Sequence, residues 1–213
     1  MEGQPAPIEI KIVLAGESSV GKTCVVERVL KNEFIDDQSS TLGVLYSTLE
    51  DQIDGKNVVY QIWDTAGQEN YRGMAPMYFN GSHAALCVFS VTDRESFNSI
   101  DDWVESIHQR ADEQLIIFFI GNKIDLTDRR EVSEEEGREK AKSYGAFYHE
   151  VSAKTGQGFD NFLYRIGKEF LTQKEARQRQ KAAGNNSQQD SQTNENHDQD
   201  KNDDNANNCC LIS

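Results

Sequence analysis

Eight residues near the N-terminus carry the strongest chemical signal in the sequence. Gly16 and Gly21 bracket four residues and are followed directly by Lys22 and Thr23. Glycines let a backbone coil tightly enough to aim successive N–H groups at phosphate oxygens, and the N-terminus of a following helix adds positive charge. Lys22 can then reach the terminal phosphates, and the Thr23 hydroxyl can coordinate Mg²⁺. The predicted phosphate-loop contacts are Ser18, Ser19, Val20, Gly21, Lys22, Thr23 and Cys24.

A second polar cluster, after a later apolar run, predicts the base. A carboxylate at Asp125 can accept hydrogen bonds from the ring N1–H and the exocyclic amine of guanine. Adenine lacks that pair of donors and would leave a buried charge unpaired. The Lys123 stem can lie along the base, Asn122 can tie loops together, and the backbone N–H of Ala153 can reach guanine O6. The predicted base contacts are Asn122, Lys123, Asp125, Ser152, Ala153 and Lys154.

Residues that could act on a terminal phosphate lie between these two clusters. Asp64 can hold Mg²⁺ through water, the N–H of Gly67 can sense a γ-phosphate, and Gln68 can orient an attacking water. Thr41, in a long irregular loop, offers a second hydroxyl to Mg²⁺. The predicted cofactors are GTP or GDP with Mg²⁺, and the predicted reaction is hydrolysis of GTP to GDP and phosphate. The candidate catalytic residues are Gln68, Lys22 and Gly67, and the candidate metal ligands are Thr23, Thr41 and Asp64.

The elements that must position these residues alternate along the chain. Apolar runs predict six strands, at Glu9–Gly16, Leu45–Ile53, Lys56–Thr65, Ala84–Val91, Leu115–Ile120 and Ala146–Val151. Helical spacing predicts helices from the phosphate loop to about Lys31, over Arg94–Arg110, after Ser133 and around Phe159–Phe170. Asp54-Gly55 predicts a hairpin, and strands separated by helices run parallel. We therefore predict an α/β, three-layer P-loop NTPase fold with a six-stranded, mostly parallel sheet and one antiparallel edge strand.

Charge and cysteine usage exclude several other classes of protein. The net charge of −14 argues against a nucleic-acid binder with a basic face. Four cysteines without framework or zinc spacing indicate a reducing compartment, with Cys24 and Cys87 as small core residues. We expect no signal peptide and no apolar run long enough to span a bilayer.

From about Ile8 to Phe170 the chain resembles the Ras superfamily of small GTPases, and within it the Rab family. The likeness rests on the motifs above, in their order and spacing, on Trp63 before the Asp-Thr-Ala-Gly-Gln string, on Thr41-Leu42-Gly43-Val44, and on paired C-terminal cysteines. The run Met74–Tyr78 is similar to that of the early-endosomal Rab subgroup.

The resemblance implies further roles. Residues 34–44 match the first switch loop, switch I, and residues 66–80 match the second, switch II. Phe34 matches an aromatic that caps the base and ribose, and the effector-facing aromatics match Tyr46, Trp63 and Tyr78. The implied partners are an exchange factor, an activating protein, a dissociation inhibitor or escort protein, and effectors. We expect a monomer. We also expect slow GTP hydrolysis, because we find no candidate arginine finger in the chain and an activating protein must supply one.

The C-terminus predicts a membrane anchor. Cys210 to Ser213 fit a prenylation box, and Cys209 precedes it. One lipid anchors poorly and the acidic tail offers no basic patch, so we expect geranylgeranyl groups on both cysteines. Farnesylation of Cys210 with palmitoylation of Cys209 is an alternative, as are two incidental cysteines. The predicted division is a flexible arm over 1–7, a GTPase domain over 8–175 and a disordered tail over 176–213.

These observations predict a membrane-recruited switch that regulates vesicle trafficking. We expect it on the cytoplasmic face of an intracellular membrane, endosomal or another vesicle compartment, cycling through the cytosol. One alternative is a GTP-binding scaffold with negligible turnover, which the presence of Thr41, Gly67 and Gln68 argues against. Another is a P-loop kinase of small metabolites, which would need an acceptor site and an Arg-rich lid.

Overall fold

A single twisted sheet organises the domain. The structure is a computed structural model that describes residues 5–36, 39–67, 75–109 and 114–192, with the backbone alone at 75–76 and 182–192. The strands are β1 (Ile8–Ala15), β2 (Val44–Ile53), β3 (Lys56–Thr65), β4 (Ala84–Ser90), β5 (Ile116–Asn122) and β6 (Phe147–Glu150). Their order in the sheet is β2-β3-β1-β4-β5-β6.

The strand directions agree with the prediction. β2 lies antiparallel to β3 at one edge, and every other neighbouring pair is parallel. Asp54 and Gly55 both have positive φ, 49° and 76°, as a two-residue hairpin turn requires. β5 is buried along its whole length, as expected of a strand covered on both faces. The predicted sheet, with one antiparallel edge strand, is confirmed.

Helices cover both faces of the sheet. They are α1 (Lys22–Lys31), α2 (Ala75–Phe79), α3 (Arg94–Asn98), α4 (Ile100–His108), α5 (Glu134–Ser143) and α6 (Phe162–Gln192), with one 3₁₀ turn at Thr127–Arg129. On one face Val25 of α1 and Ile166 of α6 join the core under β1, β3 and β4. On the other face Trp103 and Ile107 of α4 pack under β1, β4 and β5. These two cores make the architecture three-layered.

Local sequence explains where several helices begin and end. The Ser133 hydroxyl accepts the N–H of Glu136 while the Glu136 carboxylate accepts the Ser133 N–H, which is the capping box that the sequence predicts. Asn32 ends α1 in the left-handed conformation, and its N–H donates to Arg28 O. Asp93 caps α3 by accepting the N–H groups of Glu95 and Ser96.

Two helix predictions need correction. The single helix predicted over Arg94–Arg110 is two helices that meet at Ser99. There the Ser96 hydroxyl donates to Asp93 O and the Ser99 hydroxyl donates to Ser96 O, and such bonds compete with the helical pattern. Phe159 packs against the core from a loop before α6 and is not part of that helix.

The C-terminal part of the chain differs from the expectation between residues 176 and 192. The sequence predicts disorder there, whereas α6 is described as helix to Gln192, where Lys, Glu, Ala, Arg and Gln favour helix. Contacts divide the chain after Leu171, and the segment from Thr172 forms a separate unit. The predicted boundaries at residues 7 and 175 stay predictions. Gln68, Cys209 and Cys210 lie outside the described residues.

Within the described part of the chain, every helix is too short or too polar to cross a lipid bilayer.

The capping box of α5 yields a test of local stability. Ser133→Ala removes the acceptor of the Glu136 N–H, so we expect the free energy of unfolding to fall by about 1 kcal/mol. The measurement is urea unfolding with excess GDP. Ser143→Ala, near the other end of the same helix, is the control and should cost less than about 0.5 kcal/mol. Equal losses in the two variants would contradict the capping role.

Candidate nucleotide-binding and hydrolysis site

Loops at the carboxyl ends of four parallel strands surround one cavity. The loops follow β1, β3, β5 and β6, and the segment before β2 closes the side. The cavity measures about 370 Å³. The predicted residues that line it are Ser18, Ser19, Gly21, Lys22, Thr23, Cys24, Phe34, Thr41, Gly67, Asn122, Lys123, Asp125, Ala153 and Lys154. Asp36, Ser39, Ser40, Thr65 and Leu126 line it as well and were not predicted.

The phosphate loop, residues 16–23, is shaped by Gly21 and by backbone carbonyls that bind the Lys22 ammonium. Gly21 has φ +95°, and a Cβ there would lie 2.5 Å from Asn122 Nδ2, so only glycine fits. Lys22 begins α1, and its ammonium donates to Gly16 O at 2.8 Å and to Glu17 O at 2.7 Å. Burial lowers the pKa of Lys22 to about 8, and Asp64 opposes that shift. The loop carbonyls therefore hold the cation in the lining of the cavity.

Three oxygen-bearing side chains meet beside Lys22. Thr23 Oγ1 donates to Asp64 Oδ2 at 2.6 Å and lies 2.6 Å from Thr41 Oγ1. Asp64 is 1% exposed, and its second oxygen, Oδ1, is buried with no hydrogen-bond partner among the described residues. Burial raises the pKa of Asp64, while Thr23 and Lys22 oppose the shift. A buried carboxylate oxygen left open needs a cation or a water.

This donor set fits Mg²⁺. The ion prefers hard oxygen ligands and keeps several waters and phosphate oxygens, so one carboxylate and two hydroxyls suffice as its protein ligands. The described residues contain no group of three or more His, Cys, Asp or Glu that could hold a metal ion by themselves. Thr23, Thr41 and Asp64 are therefore suited to a nucleotide-bound Mg²⁺ and not to an all-protein metal site.

Gly67 follows β3 and lies directly against the phosphate loop. A Cβ at Gly67 would lie 2.4 Å from both Glu17 O and Lys22 Nζ, so a larger residue would clash with backbone. The Ala66 N–H donates to Gly43 O at 2.8 Å, which links the start of switch II to the end of switch I. Gln68, the next residue, lies outside the described residues.

At the base end of the cavity, the buried side-chain amide of Asn122 joins the phosphate loop to the loop that follows β6. Asn122 is 2% exposed; its Nδ2 donates to Val20 O at 2.9 Å, and its Oδ1 accepts the Ala153 N–H at 3.1 Å. The N–H that was predicted for guanine O6 is thus donated to Asn122 in this structure. Lys123 Nζ donates to Ser19 O at 2.7 Å.

Asp125 is oriented by a serine from the neighbouring loop. The Ser152 hydroxyl, fully buried with its residue, donates to Asp125 Oδ1 at 2.6 Å, and the Thr155 N–H donates to the same hydroxyl at 3.0 Å. Because a carboxylate can accept about four hydrogen bonds, this contact leaves capacity for two donors of a base. Ser152 therefore positions Asp125 from outside the cavity lining.

Sequence reasoning missed Arg28, which clamps the base loop. Its guanidinium donates from Nε to Ala153 O at 2.8 Å and from one Nη to Lys154 O at 2.9 Å. A third donor bonds Asn32 O at 2.7 Å, where α1 ends. Arg28 follows Thr23 by five residues on α1, and nothing in the local pattern signals contacts 125 residues away.

Two smaller predictions concern aromatic and cysteine residues. Phe34 is partly buried against the core, and Lys154 Nζ lies 5.9 Å from its ring centroid. Cys87 is fully buried, as expected of a core residue. Cys24 is half-buried, lines the cavity, and has its pKa raised mainly by that burial.

The three predicted effector-facing aromatics form one contact chain. Tyr46 of β2 lies opposite Trp63 of β3, and their ring centroids are 5.1 Å apart. Trp63 in turn lies 5.9 Å from Tyr78 of α2. Tyr46 is 52% exposed. Among the described residues, Leu42, Leu45 and Met77 are exposed apolar side chains as well.

The fold and the site together define a P-loop protein that binds a guanine nucleotide. Residues 11–172 match the sequence profile of the Ras family. The Ras-related protein RGP2 of rice is 43% identical over 67% of this chain and 66% of its own length. RABA2b of Arabidopsis thaliana is 39% identical over 82% of this chain and 83% of its own, and Rab5 of Nicotiana tabacum is 37% identical over 76% and 80%.

The chain therefore belongs to the Ras family, as a Rab-type small GTPase. It is a GTP/GDP-dependent switch in vesicle trafficking, binds GTP or GDP with Mg²⁺, and hydrolyses GTP to GDP and phosphate. Rab proteins in general act on membranes with regulators and effectors. Relatives with different Rab names match it at similar identity, so the likeness to the early-endosomal subgroup stays a prediction.

The base end of the cavity yields a test. Asp125→Asn replaces an acceptor of two guanine donors by an amide whose NH₂ cannot accept them, so we expect GDP to dissociate at least about a hundredfold faster. The measurement is release of a fluorescent GDP analogue. Asp128→Asn makes the same chemical change three residues away, outside the cavity lining, and should leave the rate within about twofold. A rate in Asp125→Asn no faster than in the control would refute the assignment.

Proposed function

We propose that the chain's own residues divide the work of GTP binding and hydrolysis between the two ends of the cavity. Asp125 and Lys123 hold the guanine, and Phe34 covers the base and ribose. Lys22 and the backbone N–H groups of residues 18–24 hold the phosphates and stabilise the charge that develops on them. Gln68 orients the water that attacks the γ-phosphate. Thr23, Thr41 and Asp64 hold Mg²⁺, which neutralises charge on the phosphates when it is bound.

One observation carries this proposal. The Lys22 ammonium and the Thr23 and Thr41 hydroxyls, 2.6 Å apart, line one end of the cavity, the open Oδ1 of Asp64 lies beside them, and Asp125 lines the other end. Oxygen ligands and a cation at one end suit a metal-bound phosphate, and a carboxylate at the other suits the guanine edge. No smaller ligand would use both ends.

The γ-phosphate is the signal in this mechanism. Thr41 lies before β2 in switch I, and Gly67 lies after β3 in switch II. Each contributes one contact toward the γ-phosphate side of the cavity, so loss of that phosphate releases both loops. β2 and β3 carry the change to the aromatic surface at Tyr46 and Trp63, which effectors read in the GTP state.

Regulators complete the cycle. An activating protein supplies an arginine, which gains about 10³–10⁵ in rate in this class of reaction. An exchange factor opens the site to release GDP. A dissociation inhibitor or escort protein carries the lipid-modified chain through the cytosol, where it is a monomer. Geranylgeranyl groups on Cys209 and Cys210 anchor it to the cytoplasmic face of an endosomal or other vesicle membrane.

The role of Gln68 is tested by Gln68→Leu. Leucine cannot orient the attacking water, so we expect hydrolysis to fall about ten- to a hundredfold while GTP binding is retained. The measurement is phosphate release in a single turnover, with and without an activating protein. Gln52→Leu, on the exposed face of β2, is the control and should hydrolyse at the normal rate. Unchanged stimulated turnover in Gln68→Leu would remove the residue from the mechanism.

The anchor is tested by mass spectrometry of the C-terminal peptide from the native organism. Two geranylgeranyl groups are expected, whereas one farnesyl and one palmitoyl group would support the alternative. In the same cells, a Cys209→Ser/Cys210→Ser double variant should move from membranes to the cytosol. An unmodified peptide, or a double variant still on its membrane, would refute lipid anchoring.

A further inference from the structure

Glu17, the second residue of the phosphate loop, turns its side chain away from the cavity. Its Oε1 accepts a hydrogen bond from the indole Nε1 of Trp103 at 3.2 Å. Trp103 lies on α4, 86 residues along the chain, and is 3% exposed. The loop is thereby tied to the helical layer by a partly buried hydrogen bond to a carboxylate acceptor.

The backbone of Glu17 is in contact with the phosphate machinery. Its carbonyl accepts the Lys22 ammonium at 2.7 Å. The same carbonyl oxygen would lie 2.4 Å from a Cβ on Gly67, so switch II begins directly against it. A shift of Glu17 would therefore move the acceptor of Lys22 and the surface on which Gly67 rests.

The helix that carries Trp103 is itself fixed. Lys140 of α5 pairs with Asp101 of α4 at 3.0 Å and donates to Phe97 O of α3 at 3.1 Å. The Tyr144 hydroxyl donates to Asp101 at 2.7 Å. Trp103 thus reaches the loop from a helix that is anchored on its far side, which makes it a suitable fixed point.

We propose that Trp103 is a positioning residue, which holds Glu17 so that the Glu17 carbonyl keeps Lys22 and Gly67 in the geometry that binds the phosphates. Trp103 acts on the site through Glu17 and is not among the residues that line the cavity. The inference deepens the proposed function and rests on the role given there to Lys22 and Gly67. It gives Trp103 a task beyond filling the core, which is all that its apolar helical spacing predicts.

The test compares GDP dissociation and single-turnover GTP hydrolysis among matched variants of the full chain. Glu17→Ala and Trp103→Phe each remove one partner, and we expect each to raise the GDP dissociation rate about tenfold, as for a lost hydrogen bond to a charged group. Glu17→Gln keeps an oxygen acceptor but loses the charge, so it should raise the rate less, by about threefold. The effect of the Glu17→Ala/Trp103→Phe double variant should be less than the product of the two single effects, because both single changes remove the shared hydrogen bond.

A core control separates positioning from loss of stability. Ile107→Val removes one methylene from a fully buried residue on the same helix, so it should lower the melting temperature without changing GDP dissociation. Equal acceleration in Ile107→Val, additive effects in the double variant, or Glu17→Gln as fast as Glu17→Ala would overturn the proposal. Normal dissociation in both Glu17→Ala and Trp103→Phe would do the same.

A spectroscopic reading reports the hydrogen bond itself. The chain contains two tryptophans, so Trp63→Phe leaves Trp103 as the single emitter. In that background the emission maximum should move in Glu17→Ala and stay in place in Glu17→Gln; no movement in Glu17→Ala would overturn the proposal. If the unsubstituted protein fails to retain GDP, the proposed function fails instead, and this inference with it. If the unsubstituted protein retains GDP, and Glu17→Ala and Trp103→Phe release it at the same rate, only this inference fails.

Discussion

The site depends on the side-chain amide of Asn122, which joins the phosphate loop to the base loop that follows β6. Its two ends bond Val20 O in the phosphate loop and the Ala153 N–H in the base loop. Because the amide is buried, breaking either bond would leave a polar group unsatisfied, at a cost of about 1–3 kcal/mol. The parallel sheet makes this bridge possible, since β1, β5 and β6 bring their carboxyl ends to one edge. The same amide explains why residue 21 is glycine, because the Asn122 side chain occupies the space that a Cβ would need.

Most of the fold was predictable because its signals are local. The apolar run of β5, the Asp54-Gly55 turn and the pairing of Ser133 with Glu136 each determine an element within a few residues. The errors occurred where side chains act on the backbone, as at Ser99, where hydroxyl bonds divide a helix that has continuous apolar spacing. The last helix differs more, since it begins at Phe162 and runs to Gln192 through residues predicted as disordered. The strand boundaries moved by at most two residues, which is ordinary for frayed ends.

The site divides in the same way. Residue types and spacing predict most of the side chains that line the cavity, because the chemistry of phosphate, metal and guanine restricts them. They do not predict Asp36, Ser39, Ser40, Thr65 and Leu126, and the predicted Val20, Asp64 and Ser152 lie outside the lining. Residue types and spacing could not predict what positions those side chains. Arg28 reaches Ala153 across 125 residues, and Trp103 reaches Glu17 across 86. In the sequence, Arg28 resembles any surface arginine on a helix and Trp103 any core tryptophan. Their contacts with the base-loop carbonyls and the Glu17 carboxylate are visible only in the fold.

The two ends of the cavity differ in how firmly they are held, and that difference suits a switch. At the base end, Asn122, Ser152 and Arg28 fix the loops through bonds that do not involve the ligand. At the phosphate end, Thr41 is tied to Thr23 by a single hydroxyl contact, and its neighbour Leu42 is 77% exposed. Under the proposed function, loss of the γ-phosphate withdraws part of what holds Thr41 and leaves the proposed base contacts in place. Because β2 pairs with β3 up to Val44 and Thr65, a change at Thr41 and Gly67 lies within a few residues of Tyr46 and Trp63. Under that proposal, the nucleotide stays bound by its base while its phosphates alter the aromatic surface.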